Sequence, residues 1–445
     1  MNDALLIDRD RAMAVCEQAL AASNADQTEV NLLASRAGLT RFANNHIHQS
    51  VAEENGHLSV RAFLGKRSAI ATGNDLSDEG IRDIATRALE LARLAEPDED
   101  HTPLPEPMPI PHQSEGVPAT ASFGPAERAE AVRGIIAVAQ EAGQIASGAF
   151  SVGGGWRAVA TSAGVRAGEE STSAGLRTVL MAGDSSGFAA AASRDVREIN
   201  AEALGRIASE KAATSASPGS VEPGEWDVIL EPEAVATVVG LATRLSFGAQ
   251  ACHEGRSAIC GRLGEQVCGS SITIWDDALD PRGMMSSFDY EGMPSRKVTL
   301  IEEGVAKALM YDTKTAAKDG VTTTGHATGP GGWGPVPGAI FMQIGDATVE
   351  EMVAATERGL LVTRFHYNNV LSPKQTVLTG MTRDGTFLIE GGRIVGGVRN
   401  LRYTQNILEA LGRVEMIGSE GKLAGGAWVP ALKIKGFTFS GCTEF

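Results

Sequence analysis

Three short runs near the N-terminus alternate apolar and polar residues with a period of two, and this constrains the fold more than any other feature. Glu29-Val-Asn-Leu-Leu-Ala-Ser-Arg, Leu39-Thr-Arg-Phe-Ala and Ile47-His-Gln-Ser-Val-Ala each place successive side chains on opposite faces, as a half-buried strand does. Asn44-Asn45 and Asn55-Gly56 are expected to turn the chain between them. Leu58-Ser-Val-Arg-Ala-Phe-Leu and Arg67-Ser-Ala-Ile-Ala-Thr then predict a hairpin around Gly65-Lys66. Strands packed this closely need many tight turns, and the 52 glycines of the chain suit them.

Helical periods separate the strands. A loose apolar face at Ala12, Ala14, Val15, Ala19 and Leu20 predicts a helix from about Ile7 to Ala22. Ser77 is a good N-cap, with Asp78 and Glu79 where the helix dipole favours acids. That helix is expected to run to about Leu94. The prolines between Pro97 and Pro118 forbid helix and predict an extended surface linker. Helices are then expected over Pro125 to Ala142 and Val196 to Ala213, with strands at Ser147 to Val152, Arg157 to Thr161 and Ser171 to Met181. The Ser/Pro/Gly-rich stretch from Ser215 to Gly224 reads as a domain boundary.

The second half begins with a strand, Trp226 to Leu230, and a strongly apolar helix from Pro232 to Phe247. Beyond Asp276-Asp277 the pattern is rich in strands. Hairpins are expected around Glu303-Gly304 and Gly391-Gly392, with short helices at Thr313 to Asp319 and after Thr348. A strand is expected at Gly359 to Phe365. Thr324 to Gly338 is a Gly/Pro-rich loop. A strand then a helix follow Gly397, and Ala431 to Phe439 alternates as a closing strand. The expected fold is α+β, with two domains, 1–222 and 223–445, built on large antiparallel sheets with flanking helices.

Composition narrows the function. With 43% hydrophobic and 21% charged residues, the chain has enough apolar surface for a buried core. A net charge of −16 repels phosphate backbones, which argues against nucleic acid as the main partner. The cysteines, Cys16, Cys252, Cys260, Cys268 and Cys442, are odd in number and widely spaced, which is no disulfide framework. No apolar run is long enough to span a bilayer, and acids stand at Asp3 and Asp8 where a signal peptide needs bases. A cytoplasmic protein with no membrane contact is expected.

Several stretches occur together in one order. They are Arg41-Phe-Ala-Asn-Asn-His-Ile-His-Gln-Ser, Leu58-Ser-Val-Arg, Asn74-Asp-Leu-Ser, Ala88-Leu-Glu-Leu-Ala-Arg, Pro223-Gly-Glu-Trp-Asp-Val-Ile-Leu, Gly261-Arg-Leu-Gly-Glu-Gln-Val, Ile274-Trp-Asp-Asp, Ser287-Phe-Asp-Tyr-Glu-Gly-Met-Pro-Ser-Arg and Asp312-Thr-Lys-Thr-Ala-Ala-Lys. This order resembles the TldD/PmbA family of two-component metallopeptidases, also labelled modulators of DNA gyrase. The resemblance covers nearly the whole chain. In catalytic members of the family the helix after the first C-terminal strand carries His-Glu-x-x-x-His, with a Cys near the C-terminus completing the zinc ligands and the Glu acting as general base.

Counting back from Gly261, that motif should fall near Gly240-Leu-Ala-Thr-Arg-Leu, which contains no imidazole. The family's Cys would lie near Gly418-Ser-Glu-Gly-Lys, where there is none. His253-Glu254 imitates the start of the motif, but four and five residues after His253 stand Ser257 and Ala258. The pair is therefore read as a coincidence, with a zinc site of atypical geometry as the alternative. The resemblance thus implies the PmbA/TldE-like branch: no metal or cofactor in this chain, zinc in a TldD-like subunit that forms a heterodimer with it, and unfolded peptide as substrate. A homodimer and a purely regulatory binding protein remain alternatives.

Other candidates have bland readings beside sharp ones. His46 and His48 share a strand face but lack a third ligand. Cys252, Cys260 and Cys268 recur every eight residues, about 12 Å on a helix, too far for one ion; only irregular chain would bring them together. Asp289 and Glu291 would split their pKa values if they met as an acid/base couple, but the family places them in a structural loop. Arg296, Arg399 and Arg402 are candidate anchors for a peptide carboxylate.

Overall fold

A computed structural model describes residues 8–329 and 332–442. The expected helix start at Ile7 and the loop residues Pro330 and Gly331 lie outside that range. The first helix, α1 (Arg9–Ala22), is followed by β1 (Gln27–Ala43), β2 (His46–Leu64), β3 (Arg67–Gly73) and α2 (Asp78–Leu94). After the linker come α3 (Pro118–Ala121), α4 (Pro125–Glu141), β4 (Ile145–Thr161), β5 (Arg166–Ala182), β6 (Ser185–Ser193) and α5 (Ala201–Thr214). The strands form a six-stranded sheet in the order β3-β2-β1-β4-β5-β6, with every pairing antiparallel.

The turns explain the order. Asn44 and Asn45 have φ of 51° and 61°, the left-handed pair that a two-residue hairpin requires. Asn55-Gly56, by contrast, does not turn. Both residues lie inside β2, paired with Ser35 and Ala34. Gly56 is there for space, because a Cβ would sit 2.5 Å from Leu76 Cδ1. The two strands expected at 147–152 and 157–161 are one, β4. The glycines between them keep the ladder, and a Cβ on Gly155 would fall 2.0 Å from the carbonyl oxygen of Ala34. The helix expected over 196–213 splits into a 3-10 turn, Val196–Glu198, and α5. Asn200 causes the break, its Oδ1 accepting the N–H of Ala203 at 3.0 Å as a helix cap. Along β4 the even-numbered Ala146, Phe150, Ala158 and Ala160 are buried, in cores completed by α1 and α2 at one end and α4 and α5 at the other.

The second half supplies β7 (Gly224–Leu230), α6 (Pro232–Ser246), α7 (Ala249–His253), β8 (Ile274–Asp276), β9 (Val298–Glu302), β10 (Val305–Ala306), α8 (Thr313–Asp319), β11 (Ile340–Met342) and α9 (Val349–Ala354). It ends with β12 (Arg358–Ser372), β13 (Val377–Glu390), β14 (Arg393–Gly397), β15 (Leu401–Asn406), α10 (Ile407–Leu411), β16 (Val414–Ala424) and β17 (Ala427–Cys442). These strands build an eleven-stranded sheet. Two of its pairings are parallel, β7 with β12 and β11 with β17. β7 also pairs antiparallel with β17, which closes β17, β15, β13, β12 and β7 into a ring. The fold is α+β. Val228 and Leu230 of β7 pack with α6 in the largest core, while Ile229 between them faces a second core with α9. Among the described residues, no helix is long and apolar enough to cross a membrane.

The prolines behave as read: residues 101–117 have no regular secondary structure. This linker is tied down along its course. Lys314 Nζ reaches Asp98 at 2.6 Å, and Ser287 Oγ accepts the N–H of Ser114 at 2.7 Å.

Candidate functional site

Residues 240–245, where the resemblance would put the family's metal motif, lie on α6. Pro232 starts that helix without spending a backbone donor. Ala234, Val235, Val238, Val239, Ala242 and Leu245 are buried. The opposite stripe, Glu233, Thr237, Gly240, Leu241 and Arg244, lines a cleft of about 340 Å³. The facing wall is Pro337, Gly338 and Ile340 with Gly425, Gly426 and Ala427 of the β16–β17 turn. Lys422 Nζ lies 3.5 Å from Glu233. A Cβ on Gly240 or Gly338 would meet no atom within 4 Å, so the cleft is open to main chain at both.

The wall at Gly338 is fixed from beneath. Asp276 Oδ2 accepts the N–H groups of Gly338 and Ala339 at 2.7 and 2.8 Å. Its Oδ1 is 3.0 Å from His326 Nε2, and both side chains are buried. The His326 partnership was not legible in the sequence. Asp276 alone stood in a recognised stretch.

Zinc fits neither this cleft nor the corner that imitates the motif. The α6 stripe offers no imidazole or thiolate. Among the described residues there is no group of three or more His, Cys, Asp or Glu side chains placed to hold a metal ion. His253 ends α7, and its Nε2 lies 2.8 Å from Asp319 Oδ1. Asp319 Oδ2 also accepts the hydroxyl of Tyr311 at 3.1 Å. Burial, with Asp319 beside it, pushes that phenol up to about 12. Glu254 is held by Arg256 and by Gln250 Nε2, the latter at 2.7 Å. Those bonds keep its carboxyl below the usual range, the opposite of what a general base near neutral pH needs. The corner opens on a cleft of about 540 Å³ between Glu99–Thr102, α7 and the start of α8.

Asp289 and Glu291 sit in a turn rather than on a strand, and point to different partners. Asp289 accepts the N–H groups of Glu291, Met293 and Ala327, each at 2.9 Å. Glu291 accepts the N–H and hydroxyl of Thr313. Burial raises both carboxyls, and Glu291 is raised further by Asp289. Glu29, on β1 beside them, is pushed up to about 7 by burial, against the pull of Arg61. Tyr290 Oη donates to Ser59 at 3.1 Å. From β4, Arg157 donates to Glu169 of β5 at 2.9 Å and, at the turn, to Ser286 at 3.0 Å and to the carbonyl of Phe288. These groups form a polar seam between the first sheet and the second half of the chain. Val159, Val165, Phe288 and Met293 are its apolar floor.

The remaining candidates are dispersed. His46 and His48 are both exposed at the β1–β2 turn. Arg296, Arg399 and Arg402 are exposed on separate loops and strands. Cys268 and Cys16 are buried, and burial pushes both thiols up to about 12. Cys260 meets Cys252, whose carbonyl oxygen is 3.4 Å from Cys260 Sγ.

Two family models match this chain. The PmbA/TldA metallopeptidase C-terminal domain matches residues 223–441 and the PmbA/TldA metallopeptidase domain 1 matches residues 29–92. A metalloprotease of Methanothermobacter thermautotrophicus is 27% identical over 54% of this chain and 52% of its own length; the chain thus spans about half of that relative. The metalloprotease PmbA of Escherichia coli is 22% identical over 86% of each chain. The crystal structure of TldE from Thermococcus kodakarensis superposes with a TM-score of 0.88 at 21% identity, covering 96% of this chain and 99% of that one, a likeness of fold. Two matched domains in the expected order, on a fold of this kind, place the chain in the PmbA/TldD family of metallopeptidases.

Proposed function

We propose that this chain is the metal-free, TldE-like subunit of a two-subunit peptidase that processes unfolded peptides. A TldD-like subunit supplies the zinc and the general base. This chain supplies chamber wall and interface. The α6 stripe carries the reading: where the family's metal motif would fall it presents Thr237, Gly240, Leu241 and Arg244 to an open cleft, with Glu233 as its one carboxylate and no imidazole or thiolate. An extended peptide adds as a strand to a sheet edge of the assembled pair, and the cleft takes part of its main chain against Gly240 and Gly338. All five thiols are free, which suits a reducing compartment, and the proposed location is the cytoplasm.

The test is elemental analysis of the purified chain without chelator, followed by peptide hydrolysis with and without a TldD-like subunit. The expected result is no bound zinc alone and hydrolysis only in the pair. About one zinc per chain in the isolated protein would overturn the reading, as would equal hydrolysis by the TldD-like subunit alone.

A further inference from the structure

Cys252 and Cys260 are distant on any helix, yet the chain brings them together. α7 ends at His253 and the backbone folds back on it. The N–H of Gly255 bonds the carbonyl of Cys252 at 2.9 Å, and those of Arg256 and Ser257 bond the carbonyl of Ala251 at 3.0 and 3.2 Å. Gly255, with φ of 64°, takes the left-handed conformation that this reversal needs. The return brings Cys260 Sγ to 3.4 Å from the carbonyl oxygen of Cys252.

The pair is asymmetric. Cys260 is exposed, while Cys252 is half-buried against the large core. Burial raises the Cys252 thiol, and the neighbouring Cys260 adds to this. The other thiols lie elsewhere: Cys16 in the N-terminal core, Cys268 buried, and Cys442 at the end of β17, its Sγ 3.3 Å from the carbonyl of Val221.

We propose that Cys252 and Cys260 form a reversible oxidation site in which a peroxide converts the dithiol to a disulfide. Cys260 meets the oxidant. Its thiolate attacks one peroxide oxygen, the O–O bond breaks, and the products are a sulfenic acid on Cys260 and one water. The sulfur of Cys252 then attacks the Cys260 sulfur. The S–S bond forms, the S–O bond breaks, and the departing hydroxide takes the Cys252 proton to leave as a second water. Two thiols lose two electrons and the peroxide gains them. The closing step is local, because the backbone reversal already holds Cys260 Sγ against the Cys252 main chain, within reach of an S–S bond of about 2.05 Å. A dithiol reductant reverses it. The bond would staple α7 to the returning chain, and α7 carries Gln250 and His253 into the cleft it shares with α8. The inference is independent of the peptidase reading.

Arg256 separates the two cysteines, with Arg244 and Arg262 outside them, so trypsin places the thiols on different peptides. The experiment treats the reduced chain with hydrogen peroxide, blocks remaining thiols and maps the digest. The expected product is a cross-linked peptide pair about 2 Da lighter than the two thiol peptides, restored by dithiothreitol. In Cys252→Ala the expected product is a Cys260 sulfenic acid that dimedone traps. The proposal is overturned if wild-type Cys260 proceeds to sulfinic acid while Cys252 stays alkylatable. It is equally overturned if both thiols survive a peroxide dose that oxidises Cys442.

Discussion

Two regions of this molecule gather carboxylates, and they use them in opposite ways. At the α7 corner His253 and Glu254 imitate a catalytic motif, yet each is met by an ordinary partner near solvent: Asp319 for one, Arg256 for the other. At the seam Glu29, Asp289, Glu291 and Glu169 carry no catalytic motif, yet they are buried or half-buried and held by backbone N–H groups, a hydroxyl, the Asn31 amide and one arginine. The family stretch Ser287 to Arg296 belongs to the seam. The seam is the joint between two halves of the chain, and burial there raises Glu29, Asp289 and Glu291. Perturbed carboxyls mark functional sites only when the site is open; this one is closed by Phe288, Met293 and the linker.

The largest expected effect breaks the seam. Arg157 bonds Glu169, Ser286 and the Phe288 carbonyl, and its guanidinium lies 4.2 Å from the centre of the Phe288 ring. Arg157→Ala leaves Glu169 buried without its cation, at a cost of about 3 kcal/mol. Urea unfolding at pH 7 measures this, and a loss below about 1 kcal/mol would demote the seam to a surface contact.

The next effect is a slope with pH. Burial raises Glu29 from 4.5 to about 7. Its contribution to stability is therefore complete below pH 4.5 and is lost as pH rises through 7, because the unfolded chain ionises first. The raised Asp289 and Glu291 act in the same direction. Glu29→Gln removes one part of this loss. At pH 8 the variant is expected to be more stable than the parent by on the order of 2 kcal/mol, with little difference at pH 4.5. A parent whose unfolding midpoint climbs from pH 5 to 8 would contradict this assignment.

The α6 cleft gives a smaller effect of the other kind. Gly240 lies inside a helix and faces open space. Gly240→Ala is expected to stabilise the free chain by about 0.5–1 kcal/mol. If peptide main chain packs at Gly240, the same variant binds unfolded peptide more weakly when assembled with a TldD-like subunit. A gain in stability with unchanged peptide binding would move the peptide away from α6.

The fold was legible where local chemistry decides it. Asn44-Asn45, Ser77, the linker prolines and the turns at Glu303-Gly304 and Gly391-Gly392 all act through their own backbone preferences. The misreadings share one cause. Gly56 and Gly155 look like turn residues, but they are glycine because Leu76 and Ala34 come close from elsewhere in the chain. β6 is rich in alanine and serine and shows no apolar alternation, while β8 and β11 are three residues each and exist through pairing alone. For the site, the missing imidazoles at 240–245 were readable as sequence. The Asp276–His326 support, the seam and the Cys252–Cys260 contact were not, because each joins residues whose spacing carries no periodic signal.

The smallest expected effect is the most diagnostic for the α7 corner. His253 and Glu254 sit at the mouth of the larger cleft, where a peptidase motif would be most visible. Their partners form exposed or half-exposed pairs, whose removal typically costs less than about 1 kcal/mol. His253→Ala and Glu254→Gln are therefore expected to shift the unfolding midpoint little and to leave peptide hydrolysis by the assembled pair unchanged within about twofold. A zinc-bound water that depended on Glu254 as base would lose on the order of a hundredfold or more in kcat. Loss of that size, with folding intact, would reverse the comparison: the corner would be the active site and the α6 cleft its neighbour. A null result with Gly240→Ala still perturbing peptide binding would fix the functional surface on α6.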